Sequence, residues 1–503
     1  MILISRVRCS VSISARSGGC FTLACRIRAT SLCTHSRKKR VFIRATSPLC
    51  TNSRNKRVCP CNRHFGTQEV FASKGPGGTK PCLSCKNIVQ FIDVSGDPYL
   101  QNIAAMPDKF DNATDDDIWE AADMLARTAS GGTKAELERQ EQSLGLNYVP
   151  SGIMYDERCR QHVRPVTGWL RDYMHVFLVS GIANIEVQQM VGALRCDGIS
   201  TSLITDYFKL FKLPRAHGKI HNEWFTAKRL GTPADDKDGW RGFASELLVI
   251  VPVLLSFLQT TVAPLGRLPQ HVACFQLLNR LLKLFALGAE TAAQHRDRIR
   301  QCMLDHAKCF AALYSDVVKP KFHHQFHLDD HMEQLDLLTS CFVTERKHRT
   351  TKAIATHTFA NYEKSLVQDM LIAQVSAAES ESLFVPQFLP TPKRFPHHVT
   401  HAAEYVYDRQ AQLLCGTVYI GDAVMLSDRS CGVVEKILQR TVEDRSIWLV
   451  LRTWRHVSAF SYSDSGESTV DIVSADRVLE ALAWCSDGGI VQVLPPSIAA
   501  TWD

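Results

Sequence analysis

Cys82-x-x-Cys85 closes the Gly/Pro-rich stretch Gly75-Pro-Gly-Gly-Thr-Lys-Pro-Cys-Leu-Ser-Cys85. Such a turn presents two thiolates to one ion and is half of a tetrahedral zinc site. Cys59, Cys61 or the Cys159-x-x-His162 pair could complete four ligands; ordinary reduced thiols are the alternative. His323 and His327 are spaced i, i+4, as helical metal ligands are, but with no H-E-x-x-H they read as structural. Asp172-Tyr-Met-His175 sets a carboxylate and an imidazole three positions apart, which by itself describes a helix cap and a satisfied histidine. Glu345, His348, Arg349 and Lys352 fall at i, i+3, i+4 and i+7, so one helix face would aim a carboxylate and three cationic groups at the same place. That face suits a metal ion beside a phosphate, or equally a solvated surface with a Glu345–Arg349 ion pair. Asp115-Asp116-Asp117 matches a helix dipole. The chain has no phosphate-binding P-loop, no dinucleotide-binding glycine motif and no nucleophile elbow, so ATPase, dehydrogenase and α/β-hydrolase functions have no support.

The elements that must position these residues follow from pattern. Thr114 with Asp117 and Thr133 with Glu136 form capping boxes that open helices at about 115–127 and 133–144. An apolar stretch from Val166 leads into the helical period Ile182, Ile185, Val187, Met190, Val191, Leu194, which puts Asp172 where a strand hands over to a helix. Residues 200–318 read as helices with apolar faces at Leu247–Leu258 and Phe275–Leu287. A second helical stretch is expected over about Leu335–Ala373, before Pro386, Pro390, Pro392 and Pro396 mark a linker. Strands at 417–426, 432–439, 447–457, 469–473 and 489–494 predict a small β-barrel, a candidate protein-binding module whose Trp448, Trp454, Phe460 and Tyr462 read as core.

With 503 residues, 45% hydrophobic and 22% charged, the chain can bury two or three domain cores. Its longest apolar run is short of the roughly 20 residues that span a bilayer, so no membrane segment is expected. The net charge of +7 hides an asymmetry: residues 1–64 carry 14 Lys and Arg and no acid, so the remaining 44 basic residues face 51 acidic ones. Eighteen scattered cysteines fit a reducing compartment. The stretch Ile27–Val41 recurs as Ile43–Val58, and this basic N-terminus is expected to be disordered. It reads as an organelle transit peptide, as a nuclear-localisation cluster at Arg37-Lys38-Lys39-Arg40, or as translated non-coding repeat.

The D-x-x-H element, the long helical insertion and the Glu-initiated helix resemble the second acid, insertion domain and final acid of cut-and-paste DDE transposases. More narrowly, Gly78-Thr-Lys-Pro-Cys-x-x-Cys85, Pro320-Lys-Phe-His323 with His327-Leu328, and Cys341-Phe-Val-x-Glu-Arg-Lys-His-Arg349 resemble a multi-copy transposase-like family of protist genomes, over about residues 66–376. The resemblance implies an α/β RNase H-like core with a large all-α insertion, plus the small C-terminal β-barrel and the disordered basic N-terminus. The boundaries are 1–64 for the basic segment, 65–199 for the first part of the core, 200–318 for the insertion, 319–380 for the final core segment, 381–405 for the linker and 406–503 for the barrel. It also implies Asp172 and Glu345 as catalytic Mg²⁺ or Mn²⁺ ligands, His175 as the motif partner, and Arg346, Lys347, His348, Arg349 and Lys352 on double-stranded DNA, hence a nucleus. The family's first catalytic Asp has no counterpart, because no Asp precedes Asp93; either that strand is lost or Asp93 or Asp97 substitutes. Three functions follow: a two-metal DNA transposase or nuclease, a non-catalytic DNA- or protein-binding module that could form homo-oligomers, and a decayed mobile-element product.

Overall fold

The computed structural model describes residues 8–16, 20–28, 71–90, 97–160, 162–230, 239–342, 387–388, 405–440, 446–464 and 469–501. The chain divides into two units, Met1–Pro60 and Cys61–Asp503. In the first, where no regular structure was expected, β1 (Arg8–Arg16) and β2 (Cys20–Arg28) pair antiparallel. The reason is legible: Cys9, Val11, Ile13 and Ala15 alternate with polar residues, and the register sets them opposite Ile27, Cys25, Leu23 and Phe21. Residues 29–70, which hold most of the duplicated repeat, lie outside the described residues.

In the second unit both capping boxes form. Helix α1 (Asp115–Gly131) starts at Thr114, whose hydroxyl accepts from Asp117 N while the Asp117 carboxylate accepts from Thr114 N at 2.8 Å. Helix α2 (Lys134–Leu144) repeats the device with Thr133 and Glu136 and ends at Gly145, φ +71°. A Cβ at Gly145 would meet the Lys80 carbonyl oxygen at 2.5 Å, so only glycine lets the loop that carries Cys82 lie against this helix end.

The apolar core is built by α3 (Ile182–Cys196), α4 (Thr201–Lys209), α5 (Ala244–Phe257), α6 (Pro269–Ala286), α7 (Ala289–Gln294) and α8 (Arg296–Leu313), of which α4 to α8 fall in the stretch 200–318 expected to be helical. Two stretches, Met174–Cys196 and Ala244–Leu265, are long and apolar enough to cross a membrane, but 72% and 56% of their apolar windows are buried in this core. After α8 come the short helix α9 (Pro320–His324) and α10 (His327–Leu335). Helix α10 ends at Leu335, capped by Asp336 in the left-handed region at φ +52°, and most of the helical stretch expected over about 335–373 lies outside the described residues.

The strand expected before Asp172 is not formed. Pro165 and Gly168 turn the chain, and the amides of Val166 and Thr167 donate to the Asp115 carboxylate at 2.8 and 3.2 Å rather than to a neighbouring strand. Among the described residues of this helical region the only paired strands are β3 (Ile88–Val89) and β4 (Gln101–Asn102), which run parallel; the larger sheet of an RNase H-like core is not among them.

The C-terminal sheet forms a nearly closed β-barrel, with more strands than the pattern announced. Strands β9 (Ala423–Leu426), β10 (Cys431–Arg440) and β11 (Ile447–Ser458) make its centre, flanked by β6 (Tyr405–Asp408), β12 (Ser461–Ser463), β13 (Val470–Ser474), β14 (Val478–Leu482), β15 (Trp484–Asp487) and β16 (Ile490–Val493), all antiparallel. A smaller sheet joins β5 (Gln387–Phe388), β7 (Gln410–Leu413) and β8 (Gly416–Tyr419). The single strand expected over 417–426 is split by Gly421, φ +91°, and by Asp422, whose carboxylate accepts from Tyr419 N at 2.9 Å and Arg215 N at 3.0 Å. Trp454 and Tyr462 are buried, as a core reading requires, whereas Trp448 and Phe460 are half-buried.

Candidate metal centre

Cys82 and Cys85 meet His323 of α9 and His327 of α10, and the four donor atoms lie within 4.8 Å of one another in a buried pocket. The local reasons are plain. Pro81 and the Gly75–Gly78 turn fold the Cys-x-x-Cys loop, Pro320 occupies the first turn of α9, and Phe322, Phe326 and Leu328 bury the face that carries the two imidazoles into the core. His327 Nε2 stands 3.5 Å from Cys82 Sγ, 3.4 Å from Cys85 Sγ and 3.1 Å from His323 Nε2. Ligands of one tetrahedral Zn²⁺, with bonds of about 2.3 Å to sulfur and 2.05 Å to nitrogen, stand about 3.5 Å (S···N) and 3.3 Å (N···N) apart. One N–H cannot satisfy three acceptors, but a cation at their centre can.

The surroundings prepare the same outcome. Asp330 Oδ2 lies 3.0 Å from His327 Nδ1, so Nδ1–H donates outward and the Nε2 lone pair faces the sulfurs, the tautomer a metal needs. His323 lacks this support, its Nδ1 having no partner among the described residues. Burial pushes the Cys82 thiol up, but its hydrogen bond with Cys85 and the charges of Arg171, His327 and His323 outweigh this and hold it well below its usual value. The Cys85 thiol is correspondingly raised, first by that hydrogen bond and then by burial. A bound ion would take the place of the thiol protons.

The potential fourfold ligand set is completed by His323 and His327, read from the sequence as structural, and not by the Cys159-x-x-His162 pair. The ligand set around Cys82 and Cys85 contains the two histidines, while Cys159 is half-buried beside Asp156 and Arg158 and His162 is exposed. Cys59 and Cys61 lie outside the described residues.

Arg171 joins this centre to Asp172. Its Nη2 donates to Cys82 Sγ at 3.0 Å and to Ser84 Oγ at 3.1 Å, its backbone N–H donates to His331 Nδ1 at 3.1 Å, and its carbonyl accepts from Thr339 Oγ1. The next residue, Asp172, receives His175 Nδ1 at 2.8 Å and the Cys341 amide at 3.3 Å. Burial raises the Asp172 carboxyl, but the side-chain hydrogen bond and charge of His175, the His175 amide and the Cys341 side chain bring it below its usual value, so it is ionised. Lys321 of α9 donates to the carbonyls of His175 and Val179, and burial pushes its ammonium down to about 7 against the pull of Asp172.

Asp172, His175 and Cys341 form a second potential ligand group, with no second carboxylate among the described residues. Glu345, Arg346, Lys347, His348, Arg349 and Lys352 lie outside the described residues, but the chain approaches them from this place: Tyr173 N donates to Thr339 O at 3.2 Å, six residues before Glu345. Asp93 is also outside, and Asp97 is exposed, its carboxylate accepting from Tyr99 N in its own turn. A third group, Glu186, Cys274 and His306, is fully buried; its Glu186 Oε2–His306 Nε2 distance of 2.6 Å is that of a direct hydrogen bond, shorter than the about 3.3 Å between two ligands of one tetrahedral ion, so it is a buried polar pair. Comparison with known proteins finds no family model, no curated protein and no solved structure that matches this chain.

Proposed function

We propose that the chain is a transposase-derived DNA-binding protein whose helical region is fastened by a structural Cys₂His₂ zinc centre at Cys82, Cys85, His323 and His327. The observation that carries this reading is the convergence of four buried sulfur and nitrogen donors at tetrahedral spacing, next to the ionised carboxylate of the D-x-x-H element. A closed set of four protein ligands leaves no position for a substrate, so the ion would stabilise the fold and not act as the catalyst. The ancestral chemistry is metal-dependent DNA strand cleavage and transfer on an RNase H-like core. There Asp172 and Glu345 would hold Mg²⁺ or Mn²⁺, and Arg346, Lys347, His348, Arg349 and Lys352 would meet the phosphates of double-stranded DNA in a nucleus.

The sequence favours a non-catalytic descendant, because no Asp precedes Asp93 where the family's first catalytic Asp belongs, and a two-metal site needs that further carboxylate. Titration of the full chain with a labelled duplex over a salt series separates the readings. Binding that weakens linearly in log salt, survives Glu345→Gln and yields no Mg²⁺- or Mn²⁺-dependent strand cleavage is the expected result. Metal-dependent cleavage abolished by Glu345→Gln would establish the enzyme instead, and the absence of binding even at low salt would overturn the DNA-binding reading.

A further inference from the structure

We infer that Arg171 is a positioning residue that couples occupancy of the Cys₂His₂ centre to the placement of Asp172. The inference rests on the zinc reading and deepens it. Arg171 is buried, 5% exposed, and its guanidinium spans from the metal loop to the backbone of the D-x-x-H element. An arginine in such a place needs an anion. Among the described residues its guanidinium donates to the Cys82 sulfur and the Ser84 hydroxyl and its Nε has no partner, while its Cζ lies 4.2 Å from the Trp169 ring centroid and the Asp330 carboxylate acts on it only through its charge. A metal-bound thiolate supplies that anion permanently, because coordination keeps Cys82 deprotonated and fixes where its lone pairs point.

The second grip comes from α9. This five-residue helix carries His323, a ligand, and Lys321, whose ammonium holds the carbonyls of His175 and Val179 at the two ends of the π-helical turn Met174–Leu178. Asp172 is therefore flanked on its N-terminal side by a residue bonded to one ligand, and on its C-terminal side by a turn bonded to the helix of another. An ion that pulls Cys82 and His323 together draws both grips onto the same segment. Without the ion, Cys82 and His323 are no longer held to one point, and the bonds from Arg171 and Lys321 lose their common anchor. Asp172 keeps His175 as its partner but loses the frame that fixes both.

Hydrogen exchange of the full-length protein, read by mass spectrometry with metal content measured on the same samples, tests this. Removing zinc with a chelator is expected to raise exchange of the 171–179 backbone by about tenfold or more while α5 and α6 stay protected, since local opening need not reach the global unfolding of core helices. In zinc-loaded Arg171→Met the same segment should exchange faster, and Arg171→Lys should restore part of the protection. In Co²⁺-substituted protein, Arg171→Met should shift the sulfur-to-cobalt charge-transfer band through loss of the N–H···S bond, a change that a purely structural arginine would not produce. Zinc retention with wild-type exchange and an unshifted band in Arg171→Met would overturn the coupling and leave the zinc reading standing. If that variant does not fold, chelation of the wild-type chain decides: unchanged exchange at 171–179 overturns the coupling. Wild-type protein without bound zinc overturns both.

Discussion

The pair Glu186–His306 sets a large and calculable penalty in the middle of the helical core. Glu186 of α3 and His306 of α8 have side chains 1% and 0% exposed and share one short hydrogen bond, while Glu186 Oε1 and His306 Nδ1 have no partner among the described residues. His306→Leu removes the short hydrogen bond to a carboxylate that water cannot reach, leaving only the weak Cys274 thiol beside it among the described residues. Breaking a buried pair from one side costs about 3–5 kcal/mol, because the remaining group is desolvated and uncompensated. Replacing both by apolar residues of similar volume, Glu186→Met with His306→Leu, removes the two desolvation costs together and should be neutral or stabilising by about 1–4 kcal/mol. The double-mutant cycle should therefore show a coupling energy of about 3 kcal/mol or more, at the upper end of the range for residues in contact. Urea unfolding followed by tryptophan fluorescence measures this, since Trp224 and Trp240 lie in the same core. A single mutant that costs less than about 1 kcal/mol, or additive effects in the cycle, would refute the reasoning that this is a mutually compensating pair.

Two further outcomes follow from the geometry. Gly145→Ala places a Cβ against the Lys80 carbonyl at a left-handed position and should destabilise the protein by about 2–3 kcal/mol, with weaker metal retention because Lys80 lies two residues from Cys82; differential scanning calorimetry with and without zinc measures both. His331 has its pKa lowered by burial and by Arg171 to about 4, so its folded value lies below its unfolded one. Its stabilising contribution is complete above pH about 6.5 and is lost as pH falls through about 4, because the unfolded chain takes up the proton first. Denaturation midpoints of His331→Gln should consequently fall less between pH 7 and 4.5 than those of the wild type, and equal slopes would contradict this assignment.

How far the sequence reveals this protein depends on the range of the interactions concerned. The two capping boxes and the helices they open are local, as are the alternating strands of the barrel, and the structure contains them nearly where pattern places them. The strand before Asp172 fails because Asp115, more than fifty positions earlier, captures the amides that a neighbouring strand would have used. The metal centre was half legible. Cys82-x-x-Cys85 announces a turn with two thiols, but its partners lie 238 positions further on from Cys85, and only folding shows that the i, i+4 spacing of His323 and His327 faces it. The available signal was that Cys82-x-x-Cys85 lacks a second Cys-x-x-Cys to complete it while His323 and His327 have ligand spacing, though other histidine pairs such as His217 and His221 share that spacing. The N-terminal hairpin was legible in the strict alternation of Arg8–Arg16, which the basic composition and the repeat downstream obscured.

The most direct test of the central claim is the metal content of the purified full-length chain after exhaustive dialysis, measured by elemental mass spectrometry beside Cys85→Ser and His327→Asn. A single zinc ion per chain at Cys82, Cys85, His323 and His327, lost or strongly depleted in both variants, is the predicted result. A wild-type chain that retains no zinc, or zinc that persists unchanged in both variants, would contradict it.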